Sequence, residues 1–260
     1  MGRVAGKVAV ITGAGSGVGR SCMTLFSREG AVVSGIGRTR SSLDETLKLV
    51  RAAGGDGMVV VADLANDKGA ETAVAETVEK YGRVDILVHA AGVGYSWEEK
   101  SPGSMKVVHE TTPAKWREVI NLDLDAAFLA ARAVLPHMLA QKSGSIVLVG
   151  STGGMRGMSD AHTYSAAKGG VLNLVRSLAV TYAKDGIRTN SLSPGPIDTP
   201  MIESIMGLFK DDATRFMLSP MGRAGTPEEM ANGCLFLASD EASYCNGAIL
   251  SMDGGLAARL

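Results

Sequence analysis

Tyr164 and Lys168 lie four residues apart in a segment, Tyr-Ser-Ala-Ala-Lys-Gly-Gly-Val-Leu-Asn-Leu-Val, whose apolar residues recur at helical spacing. Both side chains then share one helix face. A free phenol titrates at about pH 10 and is a poor acid–base group at neutrality, but a cation within about 4–6 Å favours the phenolate and lowers that pKa. So placed, Tyr164 could exchange a proton with a substrate oxygen. Ser151 ends the apolar run Ser-Ile-Val-Leu-Val-Gly, which reads as a buried strand. Its hydroxyl falls at the strand's C-terminal edge and can hold the same oxygen. Taken alone, Tyr-x-x-x-Lys is equally the pattern of an ordinary pair on a surface helix, so the rest of the chain must decide.

The N-terminus supplies the first positioning element. Lys7–Thr12 is a short β-rich run that leads into Gly13-Ala-Gly-Ser16-Gly17-Val18-Gly19-Arg, and Ser21–Arg28 continues with helical periodicity. Strand, glycine turn and helix in that order form a dinucleotide-binding opening. The glycines admit close approach of a pyrophosphate, whose charge is stabilised by unpaired N–H groups at the helix N-terminus.

A second strand, Ala31–Ile36, ends at Gly37-Arg38-Thr39-Arg40. An Asp or Glu here would bind the ribose hydroxyls of NAD and repel the 2′-phosphate of NADP. None is present, and Arg38, with Arg40 nearby, offers a guanidinium for that phosphate. The sequence therefore favours NADP(H) over NAD(H). The alternative for Arg38 is a solvated side chain at a loop tip.

Strands and helices then alternate: helix Ser42–Ala53, strand Met58–Val61 with Asp63 and Leu64 after it, helix Asp67–Tyr81, and a strand from Asp85 running into Ala90-Ala91-Gly92. Arg188–Ser193 and Ala248–Asp253 read as later strands, and Thr226-Pro-Glu-Glu-Met opens a capped helix ending near Ala238. This predicts an α/β fold, a single-domain Rossmann fold with a doubly wound parallel sheet of about seven strands and helices on both faces. No repeat or linker divides the chain. Residues 1–260 read as one domain, with a cofactor half over about 1–150, a catalytic and substrate half over about 151–260, and a lid over about 197–220.

Together, Thr12-Gly13-x-x-x-Gly17-x-Gly19, Asp63, Ala90-Ala91-Gly92, Asn121 in Ile-Asn-Leu, Ser151, Tyr164-x-x-x-Lys168 and Pro194-Gly195 resemble, in order and spacing, the signature of the classical short-chain dehydrogenases/reductases. The resemblance covers essentially the whole chain. His89 departs from it, because the family commonly has Asn in this turn. The resemblance implies a Ser151-Tyr164-Lys168-Asn121 constellation and hydride transfer to or from a nicotinamide. It implies that Asn121 bends its helix and holds a water that relays protons from Lys168. It further implies that the Ile197 backbone and Thr199 hydroxyl hold the carboxamide, and that the chain forms a homotetramer, with a dimer as the alternative.

The substrate side is less determined. The segment Val93–Val119 is longer than in common family members; Tyr95 and Trp97 either line a pocket or pin the loop. Thr112-Pro113 reads as a helix start, and Asn121 falls in the helical run that follows. Met201–Ser219 is Met-rich and apolar at helical spacing, with Met201, Ile202, Ile205 and Met206 at its start. It reads either as ordinary helix packing or as a lid whose adaptable thioethers accept bulky apolar substrates, and the lid is favoured. Gly153, Met155 and His162 are further pocket candidates, whereas His109 and His137 have no motif partner.

Composition narrows the remaining choices. The chain has 26 basic and 27 acidic residues and a formal charge of −1, which gives no electrostatic reason to expect nucleic acid or an anionic membrane as partner. Cys22, Cys234 and Cys245 have neither CxxC nor metal-ligand spacing and read as reduced thiols of a cytoplasmic protein, so no metal site is expected. No uncharged apolar run approaches the roughly 18 residues needed to span a bilayer. The sequence thus predicts an NADP(H)-dependent oxidoreductase interconverting a small-molecule ketone and a secondary alcohol. A 3-oxoacyl thioester reductase acting on carrier or coenzyme A esters is the main competitor, and a non-catalytic NADP-binding regulator is the second.

Overall fold

Seven runs with β character pair into one sheet, and their alternation decides which layer each side chain joins. The strands of the computed structural model, which describes residues 2–259, are β1 Val8–Thr12, β2 Val32–Gly37, β3 Gly57–Val61, β4 Ile86–His89, β5 Gly144–Val149, β6 Ile187–Pro194 and β7 Ile249–Met252. All pairings are parallel, in the order β3-β2-β1-β4-β5-β6-β7. On one face Ala9, Ile11, Val33, Val88, Val147 and Leu192 meet helices α1 Gly17–Arg28, α2 Arg40–Ala52 and α9 Pro227–Ala238 through Met23, Phe26, Leu43, Val50, Met230 and Leu235. On the other, Val10, Ile36, Leu87, Ile146 and Leu148 meet α3 Gly69–Tyr81, α6 Ala126–Gln141 and α7 His162–Tyr182. Burying a side chain such as Phe26 or Leu148 contributes about 1.5–3 kcal/mol, so this period-two alternation fixes the register of the whole sheet.

The sheet reverses its winding between β1 and β4. At such a switch point the loops leaving adjacent strands diverge to opposite faces and open a crevice at the strands' C-terminal ends. The predicted helix over Met201–Ser219 divides in two: a 3₁₀ helix, Pro200–Lys210, and α8, Asp212–Leu218. Asp211 causes the break. Its backbone is extended and its carboxylate accepts the Thr214 N–H at 2.8 Å, so it ends one helix and caps the next.

The insertion after β4 forms α4, Trp97–Lys100, and leads to α5, Pro113–Ile120, which has the predicted Thr112 cap with Pro113 at its first position. Thr226 and Glu229 form the predicted reciprocal capping box at α9. Among the described residues no helix is long and apolar enough to cross a membrane.

Candidate active site

Gly13 adopts φ +66°, and a Cβ there would lie 2.9 Å from the Ala90 and Ala91 backbone. Only glycine lets the β1 turn pass so close to the β4 turn. Gly19 faces inward instead, because a Cβ would lie 2.3 Å from the Gly13 carbonyl oxygen. It lets α1 pack on β1, whereas Gly13, Ser16, Gly17 and Val18 line the cleft. Ser16 gives α1 no side-chain cap, so its first N–H groups remain available to an anion. Thr12 braces the opposite wall: its hydroxyl accepts the Ala90 and Ala91 N–H groups at 3.1 Å each and lies 3.0 Å from His89 Nδ1. With two N–H donors already on that oxygen, the Thr12 proton is the one given to Nδ1, which puts the imidazole proton on Nε2. His89 is 1 % exposed and Nε2 has no partner among the described residues. Burial first, and then the Lys168 charge, depress its pKa to about 3. His89 is therefore a neutral brace where the family has Asn.

The cleft, about 340 Å³, brings together most of the residues expected to hold a dinucleotide: the α1 glycine turn, Arg38 and Thr39, Asp63 and Leu64, Ala90 to Gly92, Tyr164 and Lys168, and Pro194, Gly195, Ile197 and Thr199. The void, the uncapped helix start and the glycine approach all fit a pyrophosphate-linked ligand. Arg40 is engaged by Asp44 at 3.0 Å. Among the described residues Arg38 has no carboxylate partner and lies 5.7 Å from the Trp97 ring centroid.

Ser151 follows β5 in extended conformation, its Oγ accepting the Gly153 N–H at 3.0 Å. Tyr164 and Lys168 occupy successive turns of α7, with the ammonium 5.7 Å from the Tyr164 ring centroid. Burial raises the Tyr164 pKa. The Lys168 charge pulls it down, Asp123 pushes it up, and the Ser151 hydroxyl pulls it down. The net direction is upward, against the lowering expected from Lys168 alone, because the sequence pair says nothing about enclosure or about Asp123.

Asn121 opens a single π-helical turn, Asn121–Asp125, between α5 and α6, and the residue this turn brings to Lys168 is Asp123, two positions on, rather than the expected Asn121. Such turns insert a residue into a helix and are frequent at functional sites. The turn aims Asp123 at the site: Oδ1 accepts the Val93 N–H at 2.9 Å and lies 3.4 Å from Lys168 Nζ, with both side chains nearly sealed from solvent. Sequence reasoning passed over Asp123. The available signal was an acid between two leucines in Ile-Asn-Leu-Asp-Leu.

Of the substrate-pocket candidates, Met201 lines the cleft. Trp97 pins the loop: its indole N–H donates to Glu118 at 2.8 Å, and Ser101 and Lys115 donate to the same carboxylate. Tyr95 donates to Asp160 at 3.1 Å and packs with Trp97, Met158 and Tyr164 around Val93, Met105 and Val119. His162 Nδ1 accepts the Val108 N–H at 3.1 Å, a bracing contact. Gly153 is buried beneath Met158 and Tyr164, while Met155 is well exposed. Ile205 and Met206 lie half-buried in the 3₁₀ helix, outside the residues that line the cleft. The insertion also holds the start of the Tyr164 helix, where Thr163 donates to the Ser104 carbonyl at 2.8 Å and Ala161 is held at φ +50°.

Comparison with known proteins bears on the family and the fold. The family model adh_short_C2, described as enoyl-(acyl carrier protein) reductase, matches residues 13–257. Cis-4-hydroxycyclohexanecarboxylate dehydrogenase of Sinomonas cyclohexanicum is 40% identical over 97% of this chain and 97% of its own. The 3-oxoacyl-[acyl-carrier-protein] reductase FabG of Thermotoga maritima is 36% identical over 98% and 99%. Among solved structures, a protein from Burkholderia xenovorans described as a short-chain dehydrogenase/reductase superposes with a TM-score of 0.91 at 37% identity, covering 100% of both chains. Carveol dehydrogenase from Mycobacterium avium in complex with NAD also gives 0.91, at 31% identity and 100% coverage of both.

Proposed function

The chain belongs to the classical short-chain dehydrogenases/reductases, oxidoreductases acting on CH–OH groups, and from that premise we propose that it reversibly interconverts a ketone and a secondary alcohol with NADP(H). The single observation that carries the reading is the meeting of Tyr164, Ser151 and Lys168 in the same cleft that the α1 glycine turn and Arg38 line. A bound NADPH supplies the hydride. The Ser151 hydroxyl orients the carbonyl oxygen and stabilises its developing charge, and the Tyr164 hydroxyl gives that oxygen a proton. Lys168 is held where its charge favours return of Tyr164 to the phenolate in the oxidative direction. Arg38, without a carboxylate of its own, would meet the 2′-phosphate with a charge-assisted contact.

Turnover and cofactor binding in Tyr164→Phe test the assignment. The variant should bind NADPH as the wild type does and lose about 10²–10⁴-fold in kcat; turnover near the wild-type value would remove Tyr164 from the mechanism. Arg38→Ala should raise KM for NADPH with little change for NADH, and equal changes for both would sink the phosphate contact. The exposed Phe128 and Val180, on α6 and α7, support self-assembly through these helices into a homotetramer. Chromatographic mass checks that assembly.

A further inference from the structure

Arg20, Arg38 and Arg40 come from the segments that build the β2 end of the cleft, and two of the three guanidiniums are engaged. Arg20 donates to Thr46, to the Gly15 carbonyl and to Glu45, and Arg40 is held by Asp44. Arg38 lines the cleft with an exposed side chain and has, among the described residues, neither an ion pair nor a hydrogen bond. What it does meet is an aromatic face: the guanidinium lies 5.7 Å from the centroid of the Trp97 ring. Strands β2 and β4 flank β1 on opposite sides, so a residue just beyond β2 here touches one carried by the insertion after β4. The contact joins the two walls on either side of the β1 glycine turn.

The ring is placed independently of the arginine. Its indole N–H donates to Glu118 on α5 at 2.8 Å, and Ser101 and Lys115 donate to the same carboxylate. The next residue, Glu98, accepts the Gly103 and Met105 N–H groups at 2.9 and 2.8 Å and closes the insertion on itself. An exposed arginine has many rotamers to lose on ordering, and a ring already in place reduces that loss. A guanidinium lying on a ring keeps its in-plane N–H donors, so the aromatic contact and a bidentate phosphate contact use different parts of the group.

We propose that Trp97 is a specificity-determining residue for the cofactor: its ring face holds the Arg38 guanidinium ready for the 2′-phosphate of NADP(H) and ties phosphate recognition to the insertion. The inference rests on the proposed contact between Arg38 and the phosphate, and goes beyond it by giving a residue after β4 a share in telling NADP(H) from NAD(H).

Adenosine fragments read the contact without turnover. Calorimetry on the full chain gives Kd for 2′,5′-ADP, which carries the phosphate, and for 5′-AMP, which lacks it. Trp97→Leu should weaken 2′,5′-ADP about 2–5-fold, the range of an exposed cation–π pair, and leave 5′-AMP unchanged. Trp97→Phe keeps a ring without the N–H and should lose less; a loss equal to that of the leucine variant would assign the effect to the pin on Glu118 and overturn the proposal. In the Arg38→Ala background Trp97→Leu should have no further effect, because the two residues act through one contact. If the leucine variant fails to fold, Trp97→Gln, which keeps a donor for Glu118 but has no ring, is read the same way. Equal weakening of both fragments, tighter binding of 2′,5′-ADP, or a loss undiminished in the Arg38→Ala background overturns the inference. A loss of 2′,5′-ADP affinity in Arg38→Ala that Trp97→Leu does not share overturns it alone and leaves the phosphate contact standing. Equal affinity of wild type and Arg38→Ala for 2′,5′-ADP refutes that contact, and this inference with it.

Discussion

The floor of the cleft and the strap beside it are built on opposite plans. Asp123 and Lys168 are almost wholly buried, Thr12 and His89 are sealed beside them, and Tyr164 rises from a long helix packed on the sheet. Residues 200–218 contain no buried side chain, and Leu208, Phe216 and Met217 stand substantially exposed. Their ties to the rest of the molecule include the Met201 carbonyl accepting the Ser96 N–H, the Ser204 N–H and hydroxyl meeting the Ser96 hydroxyl, and Arg259, which donates to the Phe216 and Met217 carbonyls and lies over the Phe216 ring. Charge placement must be accurate to fractions of an ångström, so it sits on rigid elements, whereas few ties and little burial leave the strap the less firmly held of the two.

This contrast is sharpest at Lys168. Lys168→Met should lose about 10²–10⁴-fold in turnover and, by leaving Asp123 as a buried carboxylate without its cation, destabilise the fold by about 3–5 kcal/mol. Rate assays and chemical denaturation read both effects; an unchanged denaturation midpoint would mean that the buried pair does not support the floor.

His89 gives the next largest effect, expressed in acid. Its folded pKa of about 3 lies below the ordinary 6.5, so the unfolded chain takes up the proton first as pH falls. The neutral imidazole's contribution is complete above about pH 6.5 and is lost toward pH 3, at up to ~1.4 kcal/mol per pH unit. His89→Asn should flatten this acid limb in denaturation midpoints measured across pH. Parallel curves for the two proteins would show that His89 titrates normally.

The strap should give the smallest effects on the fold and on chemistry. Met201→Ala is expected to change stability by no more than about 1 kcal/mol and leave kcat nearly unchanged, while shifting KM several-fold for bulky apolar ketones and little for small ones, because Met201 lines the cleft. A large loss of kcat with an unchanged KM would erase the distinction between floor and strap.

The division also explains what could be read from the chain. Sheet, helix order, glycine turn and Ser151-Tyr164-Lys168 were legible because each depends on local periodicity or on fixed spacing. Asp123 was not, since its partners Val93 and Lys168 come from distant segments and its direction depends on a π-turn that no apolar period announces. The direction of the Tyr164 pKa was hidden for the same reason: spacing reveals the cation but neither the burial nor the opposing carboxylate. Trp97 illustrates a milder case. Its sequence left pocket wall and loop pin equal, and the Glu118 hub decides for the pin through contacts spread across the insertion. The strap's break at Asp211 required seeing that the first acid of Lys210-Asp211-Asp212 was a cap.

The central claim is tested most directly by following nicotinamide absorbance while the purified protein meets NADPH or NADH and a panel of aliphatic, aryl, cyclic, steroidal and 3-oxoacyl thioester ketones. The account predicts oxidation of the cofactor with at least one ketone, faster with NADPH than with NADH. No oxidation of either cofactor by any ketone, from protein that binds NADPH tightly, would contradict it and leave a binding protein in its place.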